Sequence, residues 1–180
     1  VGMESGRTEM AFLCASTHVS YRFTVASSLS VLLHESRDHY DHCRQKSQDA
    51  MAGEFLIMCQ FAANLRSESA SATRFDGKFM SAEAEAMMSE LKIGPFREYL
   101  LYIQTVCCVF MADWPKALEG MNELQSNKRT SSHYSFFMVN VYSGIICLKT
   151  YKQTGKVYYK KRGVKAITFL QWWIQRGAMN

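Results

Sequence analysis

Apolar residues recur three or four positions apart along almost the whole chain, whereas the strict alternation that is typical of strands is scarce. The sequence contains 2 prolines and 10 glycines in 180 residues, so few positions interrupt a helix. We therefore predict an all-α fold of about seven or eight helices in antiparallel pairs, without a sheet.

The first part of the chain predicts three helices separated by short polar breaks. They are expected over residues 8–26, 29–45 and 49–65, with Ser27 and Ser28 in the first break. The first helix carries a row of apolar residues that recur on one side: Met10, Leu13, Cys14 and Tyr21. The third helix carries many apolar residues: Phe55, Leu56, Met58, Cys59, Phe61 and Leu65.

A segment rich in serine and alanine follows, over residues 67–86. It predicts a loop that ends at a helix N-terminus, with Ser81 as the N-cap and with Glu83 and Glu85 near the positive end of the helix dipole. Paired carboxylates can also act as acid and base, but residues two positions apart diverge on a helix. The capping interpretation is therefore preferred.

The second half predicts a nearly apolar, buried helix over residues 95–112 and another helix directly after it. Asp113 suits the N-cap of that following helix, and Pro115 suits its first turn. Its inward stripe should consist of Ala117, Leu118, Met121 and Leu124. Two more helices are expected over residues 131–151 and 156–176, joined by a turn at Thr154 and Gly155.

The last helix has an apolar side and a basic side. Its apolar side consists of Val164, Ile167, Leu170 and Ile174, and its basic side consists of Lys161, Lys165 and Arg176. Trp173 lies at the margin of the apolar side, so we predict that it packs inward. Trp172 lies near the lysines, so we predict that it is at least partly exposed.

One stretch suggests metal chemistry: HESRDHYDHC, which begins at His34. His39, His42 and Cys43 share one face of a helix, and imidazole and thiolate are ligands that zinc prefers. A structural zinc site needs four ligands, usually from two elements, and no second ligand pair follows in the sequence. We therefore predict that His34, His39, His42 and Cys43 hold no metal. The stretch is interpreted as an exposed helix end, with Tyr40 buried and with His39 and His42 facing solvent.

Charge is distributed unevenly along the chain. Residues 1–90 hold 8 Lys/Arg and 12 Asp/Glu, a balance of −4, whereas residues 91–180 hold 13 and 4, a balance of +9. Much of the excess lies in KTYKQTGKVYYKKRGVK, residues 149–165. Such a stretch is most often a solvated helix face, but it can also attract acidic proteins, anionic lipid or nucleic acid. The candidate partner-binding surface consists of Lys160, Lys161, Arg162, Lys165, Trp172 and Arg176.

The sequence lacks the common catalytic and phosphate-binding motifs: it has no P-loop, no G-x-G-x-x-G, no G-x-S-x-G and no H-E-x-x-H. We therefore expect a non-enzymatic chain without a cofactor. Six cysteines without a disulfide pattern predict reduced thiols and a cytoplasmic location. The uncharged runs at 99–112 and 134–148 are shorter than the roughly 20 residues that a membrane span needs, so we predict buried helices there.

Residues 96–126 carry the clearest repeat pattern. A nearly apolar helix is followed by an Ala-Asp-Trp turn and by a helix that opens with Pro-Lys-Ala-Leu. This order resembles a tetratricopeptide-type repeat, in which a small residue lies where two helices cross. The resemblance implies antiparallel helix pairs stacked as a TPR-like α-solenoid segment, with degenerate units elsewhere in the chain.

The order of segments is similar to the helical-repeat region of large multidomain signalling proteins. The likeness is carried by Gly6, Glu9 and Ala11, by Asp76 and Gly77 after Asn64 and Leu65, and by Trp173 with Ala178, Met179 and Asn180. In that family, a protein-kinase-like domain and an AAA/STAND-type ATPase precede the repeats. Sensor, histidine-kinase or cyclase domains often follow them.

The resemblance implies that residues 1–180 are one helical-repeat segment of a longer chain. It would comprise the first helices (1–66), a loop with a short helix (67–94) and the clearest repeat units (95–180). The implied function is a non-catalytic protein-interaction and coupling module of a signal-transduction ATPase or kinase. Its partners would be neighbouring domains of the same polypeptide or an acidic protein surface.

Two alternatives remain open at this point. The first is a nucleic-acid-binding helical domain that uses the basic C-terminal half, because Tyr151, Tyr158 and Tyr159 stand among lysines and suit stacking on bases. The second is a small enzyme or metal protein that uses the histidine and cysteine cluster.

Overall fold

A computed structural model describes residues 8–24, 28–69, 71–90, 95–126 and 133–176 of the chain. This described part contains eight α-helices and no strand, which confirms the all-α prediction. The helices are α1 (Thr8–Thr24), α2 (Leu29–Gln45), α3 (Asp49–Leu65), α4 (Ala82–Glu90), α5 (Pro95–Phe110), α6 (Trp114–Ser126), α7 (His133–Thr154) and α8 (Val157–Gln175). Several sequence predictions lie outside the described residues, namely those at Gly6, Ala26, Ser27, Ser131, Ala178, Met179 and Asn180.

The chain forms two compact units, residues 1–103 and residues 104–180. In the first unit, α2 and α3 form a helical hairpin, and α1 packs against both helices. The N-cap of α2 is Ser28, whose side-chain oxygen accepts a hydrogen bond of 3.2 Å from the N–H of Val31. Helix α3 contributes the largest share of the described core of this unit, with Ala52, Phe55, Ile57, Met58, Cys59, Phe61, Ala62 and Ala63 buried.

Helix α1 contacts the hairpin through a face that its apolar row does not indicate. Val19 is buried, and the ring of Phe23 meets the ring of Phe61 edge-on at a centroid distance of 5.0 Å. The apolar row itself is exposed: Met10, Leu13, Cys14 and Tyr21. The side of α1 that packs is therefore the one that carries Val19 and Phe23, and it is not the side that carries the apolar row.

Three helices end in the same hydrogen-bonded turn. After α2, Ser47 has a φ of 54°, and the N–H groups of Ser47 and Gln48 donate to carbonyls three and five residues earlier, at 3.1 and 2.9 Å. The same pair of bonds follows α3 at Ser67 (φ 59°) and α5 at Ala112 (φ 57°). This is the Schellman motif, which usually has glycine at the left-handed position. These three turns adopt it with serine or alanine.

The irregular segment between α3 and α4 is held by polar side chains of α3. The Oε1 atom of the buried Gln60 accepts hydrogen bonds from the N–H groups of Phe79 (2.8 Å) and Met80 (3.1 Å). One turn later, the buried Asn64 donates to a carbonyl of the segment at 2.7 Å. Phe75 and Met80 are buried, so this loop contributes to the core of the first unit.

Helix α4 begins as the sequence predicts. The hydroxyl of Ser81 accepts a hydrogen bond of 3.2 Å from the N–H of Ala84, which identifies Ser81 as the N-cap. A carboxylate oxygen of Glu85 accepts one of 3.2 Å from the N–H of Phe75. Ser81 therefore caps the helix, in agreement with the prediction, whereas this bond of Glu85 holds Phe75 of the preceding loop.

In the second unit, α6 follows α5 after a tight turn. Asp113 caps α6 as predicted, because its Oδ1 atom accepts a hydrogen bond of 3.4 Å from the N–H of Lys116. Of the predicted inward stripe, Ala117, Met121 and Leu124 are buried and Leu118 is half-buried. Gly120 faces Thr105 of α5 so closely that a Cβ atom there would collide with the threonine hydroxyl. The small residue therefore allows the close approach of α5 and α6.

Helices α7 and α8 form a hairpin, and α6 packs against α7. The turn between α7 and α8 uses Gly155, which has a φ of 68°, a conformation that favours glycine. Among the residues that the structure describes, no helix combines the length and the apolar character needed to cross a membrane.

Candidate functional site

The histidine-rich end of α2 is held by local contacts. A ring nitrogen of His34 lies 3.4 Å from a carboxylate oxygen of Asp38, and Nδ1 of His42 lies 2.7 Å from the Asp38 carbonyl oxygen. Cys43 is buried, which raises the pKa of its thiol to about 11 and keeps the thiol protonated at neutral pH. Within the described residues, no three or more His, Cys, Asp or Glu side chains are placed to hold a metal ion.

Two details of this stretch correct the sequence prediction. His39 is half-buried rather than solvent-facing, because its ring lies on that of Phe55 at a centroid distance of 5.2 Å, and this burial lowers the pKa of His39. Tyr40, the predicted buried contact, is only half-buried, whereas Cys43 is fully buried. The residues that face α3 recur at intervals of four, three and four: Leu32, Ser36, His39 and Cys43. The same spacing can be recognised in the sequence, and it places His39 on the buried face of α2.

Polar contacts attach α1 to the hairpin. Arg22 donates a hydrogen bond of 2.8 Å to a carboxylate oxygen of Glu35, and this contact lowers the pKa of Glu35. Ser16 donates a hydrogen bond to Glu54, which is half-buried, and burial raises the pKa of Glu54. Both contacts join α1 to a neighbouring helix of the first unit, and their role is therefore structural.

The buried thiols of the chain are poor nucleophiles. Burial raises the pKa of Cys59 to about 12 and that of Cys108 to about 11. Since the reactive species is the thiolate, both thiols are inert at neutral pH.

The surface with the most unbalanced charge belongs to α7 and α8. These two helices contain no aspartate or glutamate, and the whole sequence after Glu123 has none, against 10 lysines and arginines. This charge therefore has to be neutralised by solvent ions, by other parts of the protein or by a partner.

Small residues determine which side of α8 packs on α7. A Cβ atom on Gly163 would lie 2.7 Å from Cγ of Leu148, and one on Gly144 would lie 3.5 Å from Cβ of Ala166. The two backbones are close at this crossing, and Gly163 and Ala166 are the buried residues of α8. Trp173 falls on the same side and is half-buried. We define this side as the inner stripe of α8.

Along one flank of α8 runs a row of rings and cations, which we call the basic–aromatic stripe. It consists of Tyr158, Lys161, Arg162, Lys165, Phe169, Trp172 and Arg176, and each of them lies three or four residues from another member of the row. The guanidinium of Arg162 lies 5.6 Å from the ring centroid of Tyr158, and that of Arg176 lies 4.7 Å from Trp172. The rings of Phe169 and Trp172 are stacked at 6.2 Å. The exposed fraction of Trp172 is 46%, which confirms its predicted exposure.

The stripe gathers five of the six residues predicted as a partner-binding surface. The sixth, Lys160, lies on the other flank of α8, over the ring of Tyr151 on α7 at 5.7 Å. Arg162 is tied to α6, since it donates a 2.9 Å hydrogen bond to Asn122. Tyr158 and Phe169 also belong to the stripe but are missing from the predicted set. The signal that could have found them is their spacing of three or four residues from the cations.

The other flank of α8 exposes large apolar side chains, which we call the apolar stripe. It consists of Val164, Ile167 and Ile174, whose exposed fractions lie between 40 and 52%. Leu170, the fourth residue of the predicted apolar side, is half-buried. The prediction that this side packs inward is therefore wrong for Val164, Ile167 and Ile174. The inner stripe of small residues packs instead, because it allows a closer approach of the two helices.

Comparisons with known proteins identify no relative of this chain. No family model matches the chain, and no curated protein or solved structure gives a significant match.

Proposed function

We propose that the chain is a non-catalytic protein-interaction and coupling module, in which helical hairpins stack as a TPR-like α-solenoid. The observation that carries the proposal is the apolar stripe of α8, in which Val164, Ile167 and Ile174 remain 40 to 52% exposed. Exposed apolar rows of this kind mark interaction surfaces. In a solenoid, an outer helix needs either a neighbouring repeat or a polar cap.

Three recurring features support a repeat architecture. The pairs α2/α3, α5/α6 and α7/α8 are each joined by two or three residues. The first two pairs use a Schellman turn at Ser47 and at Ala112. The second and third pairs have a glycine at a close contact between helices, Gly120 against Thr105 and Gly163 against Leu148. These features are what the resemblance to tetratricopeptide-type repeats implies.

The first unit supports the same proposal independently. Its helix α1 exposes Met10, Leu13 and Tyr21 on one face. The first and the last helix of the described chain therefore both carry an uncovered apolar face. We propose that neighbouring helical hairpins of the same polypeptide, or of a partner protein, cover these faces.

The charge of α8 defines the chemistry of that neighbour. Lys160 lies beside the apolar stripe, and neither α7 nor α8 contains an acidic residue. A matching surface would therefore combine an apolar row with carboxylates at its rim. By the same resemblance, the coupled domains would be an ATPase or a kinase-like domain of a signalling protein.

The test is photo-crosslinking in the cell from position 167, in the apolar stripe, with position 153 as the reference. We expect position 167 to capture a helical segment that carries apolar and acidic residues. A charge placed in the stripe by Ile174→Glu should abolish the capture, whereas the same charge beside the stripe, in Thr168→Glu, should preserve it. Equal capture from Gln153 and from Ile167 would refute the proposal. Capture of a second copy of this chain would replace the proposed partner with a homodimer.

The same experiment needs a stability control. Because Ile167 and Ile174 are substantially exposed, glutamate at either position should change the free energy of unfolding by only about 0.5 kcal/mol. A much larger loss would mean that the stripe belongs to the core of its own unit rather than to an interface.

A further inference from the structure

We propose that the basic–aromatic stripe of α8 binds single-stranded nucleic acid. This inference does not depend on the interaction module proposed above, because that proposal uses the apolar stripe on the other flank of the helix. The two surfaces share no residue, so their tests can succeed or fail separately.

The stripe is positively charged. Lys161, Lys165 and Arg176 are exposed along it, and none of the ion pairs among the described residues involves any of these three side chains. Arg162 adds a fourth cation but is held by hydrogen bonds to Asn122 and Gln125 of α6. Three cations therefore remain for phosphate groups. A backbone that carries one negative charge per nucleotide complements such a row.

Two exposed rings of the stripe lie beside its cations. Tyr158 is 62% exposed and Trp172 is 46% exposed, and both lie on the same flank as the lysines. They are 14 residues apart, which corresponds to about 21 Å along the helix axis. Exposed rings beside a positive row are the combination with which proteins bind single strands, because each base offers a flat face for stacking.

The pairing of rings with guanidinium groups supports the same ligand. Arg176 lies over Trp172 at 4.7 Å, and Arg162 lies over Tyr158 at 5.6 Å. A guanidinium plane can stack on a base and can also bind a phosphate, so an incoming nucleotide can replace or extend these pairs. An acidic peptide would use the cations but would gain little from the rings. A duplex would hide the faces of its bases.

The experiment measures fluorescence anisotropy of a labelled oligothymidylate of about 12 nucleotides, a length within the usual site sizes of such proteins, over a series of salt concentrations. With three phosphate contacts, we expect the logarithm of the affinity to fall with the logarithm of the salt concentration with a slope of about −2. Replacing both lysines of the stripe, Lys161→Ala with Lys165→Ala, should reduce the slope to about −0.7. The matched control, Lys152→Ala with Lys160→Ala, removes the same charge outside the stripe and should keep the slope.

Stacking of bases on Trp172 can be measured separately from the contribution of charge. The oligonucleotide should quench tryptophan fluorescence, and Trp172→Ala should weaken binding about fivefold or more without changing the salt slope. Trp172→Phe should restore most of the affinity, because phenylalanine keeps a ring at this position. Circular dichroism of each variant should match that of the parent, since the replaced side chains are exposed.

Several outcomes would overturn the proposal. Equal losses from the two lysine pairs would show that only net charge matters. Equal affinity for a duplex, or equal competition by polyglutamate of the same length, would show that the stripe takes any polyanion, an acidic protein surface included. An unchanged affinity of Trp172→Ala would remove the role of the ring. Ile167→Ala, in the apolar stripe, should leave the binding of the oligonucleotide unchanged.

Discussion

The crossing of α7 and α8 predicts that the same substitution has different effects on stability at two glycines. At Gly163, a Cβ atom would lie 2.7 and 2.8 Å from Cγ and Cδ2 of Leu148, distances that real Cβ atoms essentially never show. At Gly144, its nearest neighbour would be Cβ of Ala166 at 3.5 Å, an ordinary van der Waals contact. The prediction therefore compares Gly163→Ala with Gly144→Ala.

The expected magnitudes follow from two effects. Alanine in place of glycine inside a helix stabilises it by about 1 kcal/mol. Overpacking of a well-filled contact costs about 1 to 3 kcal/mol. Gly144→Ala should receive the first effect alone, so the free energy of unfolding should rise by about 1 kcal/mol. Gly163→Ala receives both effects, so its free energy of unfolding should lie about 1 to 3 kcal/mol below that of Gly144→Ala.

The assay is urea unfolding followed by tryptophan fluorescence. All three tryptophans, Trp114, Trp172 and Trp173, belong to the second unit, so the signal reports the unit that contains both glycines. The close crossing also predicts that a second substitution restores the stability of Gly163→Ala. In a Leu148→Ala background the collision is absent, so Gly163→Ala should stabilise by about 1 kcal/mol. A Gly163→Ala variant as stable as Gly144→Ala, or a missing rescue, would refute the close crossing.

The remaining predictions concern single buried or strained groups. Gln60→Ala should lower the free energy of unfolding by about 2 to 4 kcal/mol, because two backbone N–H groups lose their acceptor, and hydrogen exchange at Phe79 and Met80 should accelerate. Ala112→Gly should stabilise by up to about 1 kcal/mol in urea unfolding, since the φ of 57° strains alanine; a loss would contradict this. Burial raises the pKa of Glu54 above its ordinary value of 4.5. As the pH rises from 4.5, the unfolded chain releases the carboxyl proton before the folded chain does, so the free energy of unfolding falls until the pH has passed the folded pKa. Glu54→Gln should therefore be more stable than the parent at pH about 7, and this advantage should vanish below pH about 4. Urea midpoints measured across this pH range would show the change, and a difference between the two proteins that stays constant with pH would contradict the prediction.

The ends of several helices could be predicted well from the sequence, although α5 ends at Phe110 rather than at 112 and α7 continues to Thr154 rather than ending at 151. The predicted bounds 29–45 and 49–65 agree with α2 and α3, and the predicted caps Ser81 and Asp113 accept the expected backbone hydrogen bonds. Caps and turns involve groups that are two to five residues apart, so the relevant partners are visible in a short stretch of sequence. The all-α class follows from the same local patterns.

The candidate site was predicted only in part, because its members depend on the phase of one helix. Lys160 and Lys161 are adjacent in the sequence, but about 100° of rotation separates them and places them on different flanks of α8. The spacing could have excluded Lys160 and included Phe169. Which flank remains open could not be predicted, because it depends on where α6 and α7 lie.

On α1 and α8, the faces that pack were decided by the tertiary structure, whereas the inward stripe of α6 was predicted from the sequence. The apolar rows of α1 and α8 predict buried sides, yet α8 buries Gly163 and Ala166, and α1 places Phe23 against Phe61. Hydrophobic periodicity measures the size and polarity of side chains, whereas packing depends on the shape of the partner surface. Small residues let two backbones approach and gain contacts along their whole length. A row of large apolar residues has the same sequence pattern whether its own unit covers it or a neighbour does.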